Sequence, residues 1–137
     1  MSNNSIFDQI VSLPSDSIAE QAKSLIGFHE RYKNISGNLK MMLDPDSLMT
    51  WSQLHHDGVI PIINHLHQRY PLVIMAGDVG TGKTISAITI ADELTRELKK
   101  EGFFIQLSTR VRGQGLHGEM GNLINDAFDR LKQETGK

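Results

Sequence analysis

One stretch constrains the fold of this chain more than any other. Residues 72–76 (LVIMA) form an unbroken apolar run, and residues 77–84 (GDVGTGKT) follow at once. An apolar run without alternation is typical of a strand that is buried on both faces, as in a parallel sheet. After the glycines, apolar positions at helical spacing from about Lys83 to Lys100 predict an amphipathic helix. The pattern therefore predicts a strand, a tight glycine-rich loop and a helix in direct succession.

The loop matches the phosphate-binding pattern Gly-x-x-x-x-Gly-Lys-Thr in full. Glycine has no Cβ, so it permits positive φ and lets the backbone approach a bulky anion. Successive backbone N–H groups can then form an anion-binding nest, which the start of the helix extends. Lys83 is predicted to reach the β- and γ-phosphates, and the Thr84 hydroxyl to ligate Mg²⁺, a cation that prefers oxygen. A plain glycine-rich turn is the alternative, but the complete motif in this context favours ATP with Mg²⁺.

The predicted site residues form one continuous run. Lys83 and Thr84 take the catalytic roles, and Thr84 is the metal ligand. The predicted nucleotide-binding residues of this run are Gly77, Asp78, Val79, Gly80, Thr81, Gly82, Lys83, Thr84 and Ile85.

The remainder of the chain predicts helices before the loop and a second strand after its helix. Residues 103–107 (FFIQL) are expected to be that strand, which completes a right-handed βαβ unit. A glycine-rich loop follows, and a last helix is predicted from about residue 119 or 121 to residue 133. Helices before the loop are predicted over 6–11, from Ser15 or Asp16 through Ala22, over 29–43 and 48–55, and from Pro61 to about residue 70.

Composition limits the function classes. The 137 residues carry a net charge of −2 and no cysteine, which excludes disulfides and zinc–thiolate sites. A net charge of this sign and size does not predict broad electrostatic attraction to nucleic acid or to an anionic membrane. The N-terminus lacks the features of a signal peptide, and no apolar run approaches the ~20 residues of a membrane span. We therefore expect a cytoplasmic protein. The histidine pairs 55/56 and 65/67 lack converging ligand spacing, so no metal site is expected there.

Catalysis needs more than a phosphate cradle. P-loop ATPases also place an acidic residue at the end of a neighbouring strand, where it holds Mg²⁺ and polarises water. Residues 88–93 (ITIADE) imitate such a strand, but they lie within the helix that follows the loop. Asp92 would then be about 13 Å along the helix from Lys83, and a solvated acidic pair is the expected interpretation. No later apolar run ends in an acid, so we expect this chain alone to bind nucleotide with little or no turnover.

With these segments placed, the chain resembles the N-terminal half of an AAA+ ATPase domain over residues 20–135, approximately. Residues 25–28 (LIGF) resemble the hydrophobic-Gly segment that packs on adenine in that family, which adds Ile26 and Gly27 to the nucleotide-binding residues. The loop ends in Gly-Thr-Gly-Lys-Thr, a common AAA+ form. Residues 115–119 (GLHGE) resemble the first pore loop, with Leu116 at the position that grips a polypeptide. Asp78 departs from the family, where many members have proline.

The resemblance implies an α/β P-loop NTPase fold of AAA+ type: a parallel sheet with flanking helices, incomplete here. It implies a helical N-terminal segment over 1–24 and the front half of the ATPase domain over 25–137. It further implies a homo-oligomeric, hexameric ring that remodels a protein partner, most similar to the HORMA-domain remodellers. Walker B, sensor 1, the arginine finger and the lid are absent from this chain.

Other functions remain open. A DNA-associated AAA+ loader or initiator would use Arg110 and Arg112 on nucleic acid, although two arginines make no basic stripe. A nucleotide-binding interaction module without catalysis is a third possibility. A small nucleotide kinase is a fourth, disfavoured by the long segment that precedes the loop.

Overall fold

The computed structural model describes residues 7–68, 71–108, 125–126, 128–129 and 132–133. The elements are β1 (Phe7–Leu13), α1 (Asp16–Ser24), α2 (Phe28–Leu43), α3 (Pro45–His55), α4 (Pro61–His67), α5 (Lys83–Leu98) and β2 (Gly102–Leu107). The predicted pore loop with Leu116, the arginines at 110 and 112, and most of the predicted last helix lie outside the described residues.

The chain divides into two compact units. One combines the N-terminal residues to Ser12 with the chain from Phe103 onward, and its described part holds the antiparallel pair of β1 and β2. The predicted strand at 103–107 is confirmed as β2. The predicted N-terminal helix is wrong, because residues 7–13 form β1. Apolar residues at 6, 7, 10 and 11 suit a helix face, but so short a run does not separate helix from strand until a pairing strand is known.

The other unit spans Leu13–Gly102 and contains the helices α1 to α5. Its core joins Tyr32 of α2 to Ile90 and Leu94 of α5, each at most 6% exposed. Burying a side chain of this size contributes about 2 kcal/mol, so the core firmly attaches α5 to α2. The partly buried side chains packed against this core are Phe28, Ile35, Leu39, Met75 and Leu98.

The helices of this unit confirm the predictions from sequence. Helices α2, α3, α4 and α5 begin and end within a few residues of the predicted limits. Pro45 and Pro61 each lie in the first turn of a helix, where the missing N–H has no intrahelical partner to lose. Lys99 adopts positive φ and ends α5 just before the predicted Gly102.

The segment before the glycine-rich loop differs from its prediction. Residues 72–76 are assigned neither to a helix nor to a strand, and Leu72 and Ile74 are 80% and 82% exposed. Only Met75 is partly buried and packs on the core. The prediction of a strand buried on both faces is therefore wrong for the described structure, where β2 pairs with β1 and no strand pairs with 72–76. The predicted parallel sheet and βαβ unit are likewise not among the described residues.

Asp92 also departs from its prediction. It is only 1% exposed, whereas a solvated acidic pair was expected. One carboxylate oxygen accepts the backbone N–H of Ser15 at 2.6 Å, and the other accepts Arg96 Nε at 2.9 Å. Ser15 is the N-cap of α1, but its own side chain makes no capping bond. Asp92 therefore replaces a local cap and ties α5 to the start of α1.

Candidate nucleotide-binding site

The glycine-rich loop ends where α5 begins. Gly82 is the N-cap residue, with φ of 80°, and Lys83 is the first residue of the helix. Within residues 71–108, all described, no side chain caps this helix end and no acid lies in its first turn. The first N–H groups of a helix have no intrahelical acceptors, and the helix dipole places partial positive charge there. The end of α5 is thus free to receive an anion from the loop side.

The loop backbone has the conformations that the motif predicts. Gly80 and Gly82 have φ of 81° and 80°, which L side chains rarely adopt. Gly77 has φ of 154°, and a Cβ there would stand 3.2 Å from Thr81 Oγ1. The predicted positive φ at glycines 77, 80 and 82 is therefore confirmed, and the close approach of the loop to a phosphate stays a prediction. Glycines with positive φ allow consecutive N–H groups to turn toward one side of a loop.

Lys83 folds back over this loop. Its Nζ donates to the carbonyl of Gly77 at 2.9 Å and to that of Asp78 at 2.5 Å. A third, longer contact of 3.3 Å reaches Thr81 Oγ1. The ammonium is thereby held above the loop at the start of α5. A cation at this place adds its charge to that of the helix end, so the two attract the same anion.

The remaining loop residues are open to solvent. Asp78, Val79 and Thr84 are exposed, with Val79 fully so. Ile85 is half-buried and stands 3.4 Å from where a Cβ of Gly82 would lie. An exposed Thr84 hydroxyl at the first turn of α5 is chemically able to ligate a hard cation. Within the described residues, no group of three or more carboxylate, imidazole or thiol side chains could hold a metal by itself.

The predicted adenine segment forms the turn between α1 and α2. Gly27 is the N-cap of α2 with φ of 69°, and Ile26 beside it is 93% exposed. Arg31 Nη2 donates to the Ile26 carbonyl at 2.7 Å and holds the turn from within α2. Phe28 packs on the core to which α5 contributes Ile90 and Leu94. The predicted adenine segment and the helix that follows the glycine-rich loop are therefore supported by one core.

A second polar cluster lies across α2 and α5. Tyr32 donates its hydroxyl to Glu97, which also pairs with Lys40. The Lys40 and Tyr32 hydrogen bonds lower the pKa of Glu97 below its ordinary value. Burial, followed by the bond to Glu97, raises the pKa of Tyr32. No chemistry was predicted for these residues from sequence, and the cluster supports the same core rather than the loop.

The sequence predicted the glycine-rich loop and the candidate adenine segment, but not the side-chain contacts that support each of them. Thr81 was predicted to bind nucleotide as part of the loop, and the contacts of its hydroxyl with the Asp78 carbonyl and with Lys83 were not predicted. Arg31 was not singled out, although it holds the carbonyl of Ile26. A threonine two residues before the motif lysine is visible in the sequence, but the contact depends on a loop turn that no periodicity reveals.

The comparisons with known proteins give one consistent set of relatives. No protein-family model matches the chain. CD-NTase-associated protein 6 of Escherichia coli strain KTE188 is 40% identical over 138 residues, which cover 100% of this chain and 46% of that protein. The protein of the same name from Escherichia coli strain MS 115-1 is 32% identical, over 96% of this chain and 45% of the relative. This chain therefore spans less than half the length of these curated relatives.

Solved structures agree with this result. A chain in the structure of the E. coli MS115-1 HORMA:CdnC:Trip13 complex matches with a TM-score of 0.74 and 33% identity. That match covers 90% of this chain and 41% of the solved chain. Rhizobiales Trip13 matches with a TM-score of 0.69 and 29% identity, over 93% of this chain and 45% of its own. Over the residues compared, this chain has a Trip13-like fold and is similar in sequence to CD-NTase-associated protein 6.

Proposed function

We propose that this chain is the ATP-binding portion of an AAA+ ATPase that couples ATP hydrolysis to the remodelling of a protein partner. One observation carries the proposal: the Lys83 ammonium is held over a loop with positive φ at Gly80 and Gly82, at the uncapped start of α5. The similarity to Trip13, an AAA+ ATPase, supports the same class.

The loop fits a polyphosphate for chemical reasons. The glycines leave room for the backbone to approach, and the N–H groups at the start of α5 are not taken by a capping side chain. Lys83 would bind the β- and γ-phosphates and stabilise charge that develops there during transfer. Thr84, exposed in the first turn, would hold Mg²⁺, which neutralises phosphate charge when bound. An acid other than Asp92 would have to orient the attacking water, since Asp92 is occupied by Ser15 and Arg96.

The proposed partner is a HORMA-domain protein. The support is the solved complex that contains HORMA, CdnC and Trip13, together with a relative whose name describes association with a CD-NTase. We further propose that the full-length protein works as a hexameric ring, as the AAA+ resemblance implies, and that it is cytoplasmic. Within the described residues, no helix is long and apolar enough to cross a bilayer.

A substitution of Lys83 tests the phosphate site directly. In the full-length protein with Mg²⁺, Lys83→Ala is expected to abolish binding of a fluorescent ATP analogue, because it removes the cation above the loop. Lys33→Ala is the matched control, since Lys33 is an exposed lysine on α2 and lies outside the loop. An affinity of Lys83→Ala equal to that of Lys33→Ala would refute the phosphate-site assignment.

A further inference from the structure

We propose that Thr81 is a positioning residue for Lys83: its hydroxyl fixes the ammonium above the loop before nucleotide arrives. The inference rests on the proposed nucleotide-binding function and assigns a particular task to one side chain of the loop. It comes from the contacts of the Thr81 hydroxyl, which all lie within the loop and its lysine.

The hydroxyl has a defined donor and acceptor role. Thr81 Oγ1 donates its single proton to the Asp78 carbonyl at 2.9 Å. Its lone pairs are then available to Lys83 Nζ, which lies 3.3 Å away. The Asp78 carbonyl also accepts from Lys83 Nζ. The three groups thus form a closed set, in which the hydroxyl and the ammonium share one acceptor.

This set determines where the ammonium points. An ammonium has three N–H donors, and in this structure each has a loop acceptor: the Gly77 carbonyl, the Asp78 carbonyl and Thr81 Oγ1. A free lysine side chain samples many rotamers, and ordering it on binding weakens the affinity for a ligand. Contacts that already place the side chain above the loop reduce that loss, and a phosphate would take over at least one of the three N–H donors. The Thr81 contact is the only side-chain acceptor among the three, so it alone can be removed by substitution.

The hydroxyl also lies against Gly77, whose added Cβ would stand 3.2 Å from it. Thr81 therefore closes the turn from the first glycine of the loop to its lysine. Valine has nearly the same shape as threonine but offers neither donor nor acceptor, whereas serine keeps the hydroxyl and loses only the methyl group. Comparing these two replacements therefore separates the effect of the hydroxyl group on binding from the effect of side-chain shape.

The chain offers a matched control in α5. Thr95 Oγ1 donates to the Asp92 carbonyl at 2.8 Å, three residues back, as Thr81 does to Asp78. Thr95→Val removes an equivalent hydrogen bond outside the loop. A fluorescent ATP analogue is titrated, in the presence of Mg²⁺, into five full-length proteins: the wild type, Thr81→Val, Thr81→Ser, Thr95→Val and Lys83→Ala.

We expect Thr81→Val to weaken binding roughly tenfold, the size of one hydrogen bond to a charged group. Thr81→Ser should recover most of this loss, and Thr95→Val should bind like the wild type. Equal weakening by valine and serine would overturn the inference, because the hydroxyl would then not matter. Wild-type affinity in Thr81→Val, with binding lost in Lys83→Ala, would also overturn it while leaving the proposed function intact. No binding by the wild type itself would refute the proposed function.

A second measurement uses the protein without nucleotide. The rate at which an acylating reagent labels Lys83 is followed by mass spectrometry, with the exposed Lys33 as internal reference. Thr81→Val and Thr81→Ala should both raise the labelling of Lys83 relative to Lys33, because the ammonium loses one of its acceptors. An unchanged ratio in both variants would contradict the positioning role, even if one variant were too unstable for titration.

Discussion

The three glycines of the loop are needed for different physical reasons. At Gly80 a Cβ would meet nothing within 4 Å, so only its φ of 81° disfavours other residues. At Gly77 a Cβ would press on the Thr81 hydroxyl at 3.2 Å, and the φ of 154° also disfavours other residues. Gly82 combines positive φ with a Cβ contact of 3.4 Å to Ile85. The glycines of the motif therefore meet two separate constraints, one of backbone conformation and one of space.

Gly80→Ala isolates the conformational constraint. Because the site is open, we expect a backbone strain of about 1 kcal/mol with no steric clash. The loop should relax away from positive φ, and affinity for an ATP analogue should fall. Gly37→Ala is the contrasting variant: Gly37 lies inside α2, with ordinary helical backbone and open space around its Cα.

Gly37→Ala should stabilise α2 by about 0.5–1 kcal/mol, since alanine is the better helix former. Native-state hydrogen exchange of α2 measures this gain, and the ATP analogue titration should be unaffected. Destabilisation by Gly37→Ala, or unchanged affinity in Gly80→Ala, would show that these backbone arguments do not hold here.

At the scale of elements, the sequence predicted the helices better than the strands. Helix α5 follows from its own apolar spacing, because its residues meet the core through local geometry. A strand is stabilised by a partner strand that is distant in sequence. Local sequence patterns do not identify that partner. Residues 6–11 were therefore assigned to a helix, although β1 begins at Phe7 and pairs with β2. Residues 72–76 were assigned to a buried strand, although no strand in the described part of the chain pairs with them. The conformation of the glycine-rich loop was predictable because its motif is contiguous.

Asp92 shows what periodicity misses within a correctly predicted helix. The apolar stripe of α5 gives no sign that Asp92, Thr89 and Ser86 are buried with it. Thr89 is satisfied within the helix by the Ile85 carbonyl at 2.7 Å. Asp92 instead requires Ser15 from a segment far away in sequence. Such long-range polar partners become visible only in the folded structure.

Asp92→Ala should therefore loosen α1. The change leaves the Ser15 N–H and the Arg96 guanidinium without their shared acceptor, and we expect a loss of about 2 kcal/mol. Hydrogen exchange should accelerate most in α1 and in the middle of α5. Glu101→Ala, at an exposed site beyond α5, serves as the control. If α1 exchanged equally in both variants, the link through Asp92 would carry no stability.

At the scale of the whole molecule, the chain consists of two compact units. The unit that carries the glycine-rich loop is stabilised by the contact between α2 and α5, and this contact contains charged groups as well as the apolar core. Glu97 lies between Lys40 and the Tyr32 hydroxyl. The loop-bearing helix is therefore attached partly through an interaction that depends on pH.

The sign of this dependence follows from Glu97. Lys40 and Tyr32 hold its pKa below the ordinary 4.5, so the folded unit keeps the carboxylate charged at pH values where the unfolded chain protonates. The stabilisation is complete above about pH 4.5 and is lost as the pH falls through the lowered pKa. Because both Lys40 and Glu97 are more than one-third exposed, solvent screening limits the contribution to less than about 1 kcal/mol.

Glu97→Gln should make the free energy of unfolding less dependent on pH below about pH 4.5, because glutamine has the shape of glutamate but does not titrate. The measurement is hydrogen exchange of α2 and α5 between neutral and acidic pH, corrected for intrinsic rates. Asp44 also has its pKa lowered, first by Ser47 and then by Lys100, so some acid sensitivity should remain in the variant. Glu101→Gln, outside the cluster, should keep the wild-type profile. If acid lowered the stability of Glu97→Gln as steeply as that of the wild type, the α2–α5 contact would be stabilised by its apolar core alone.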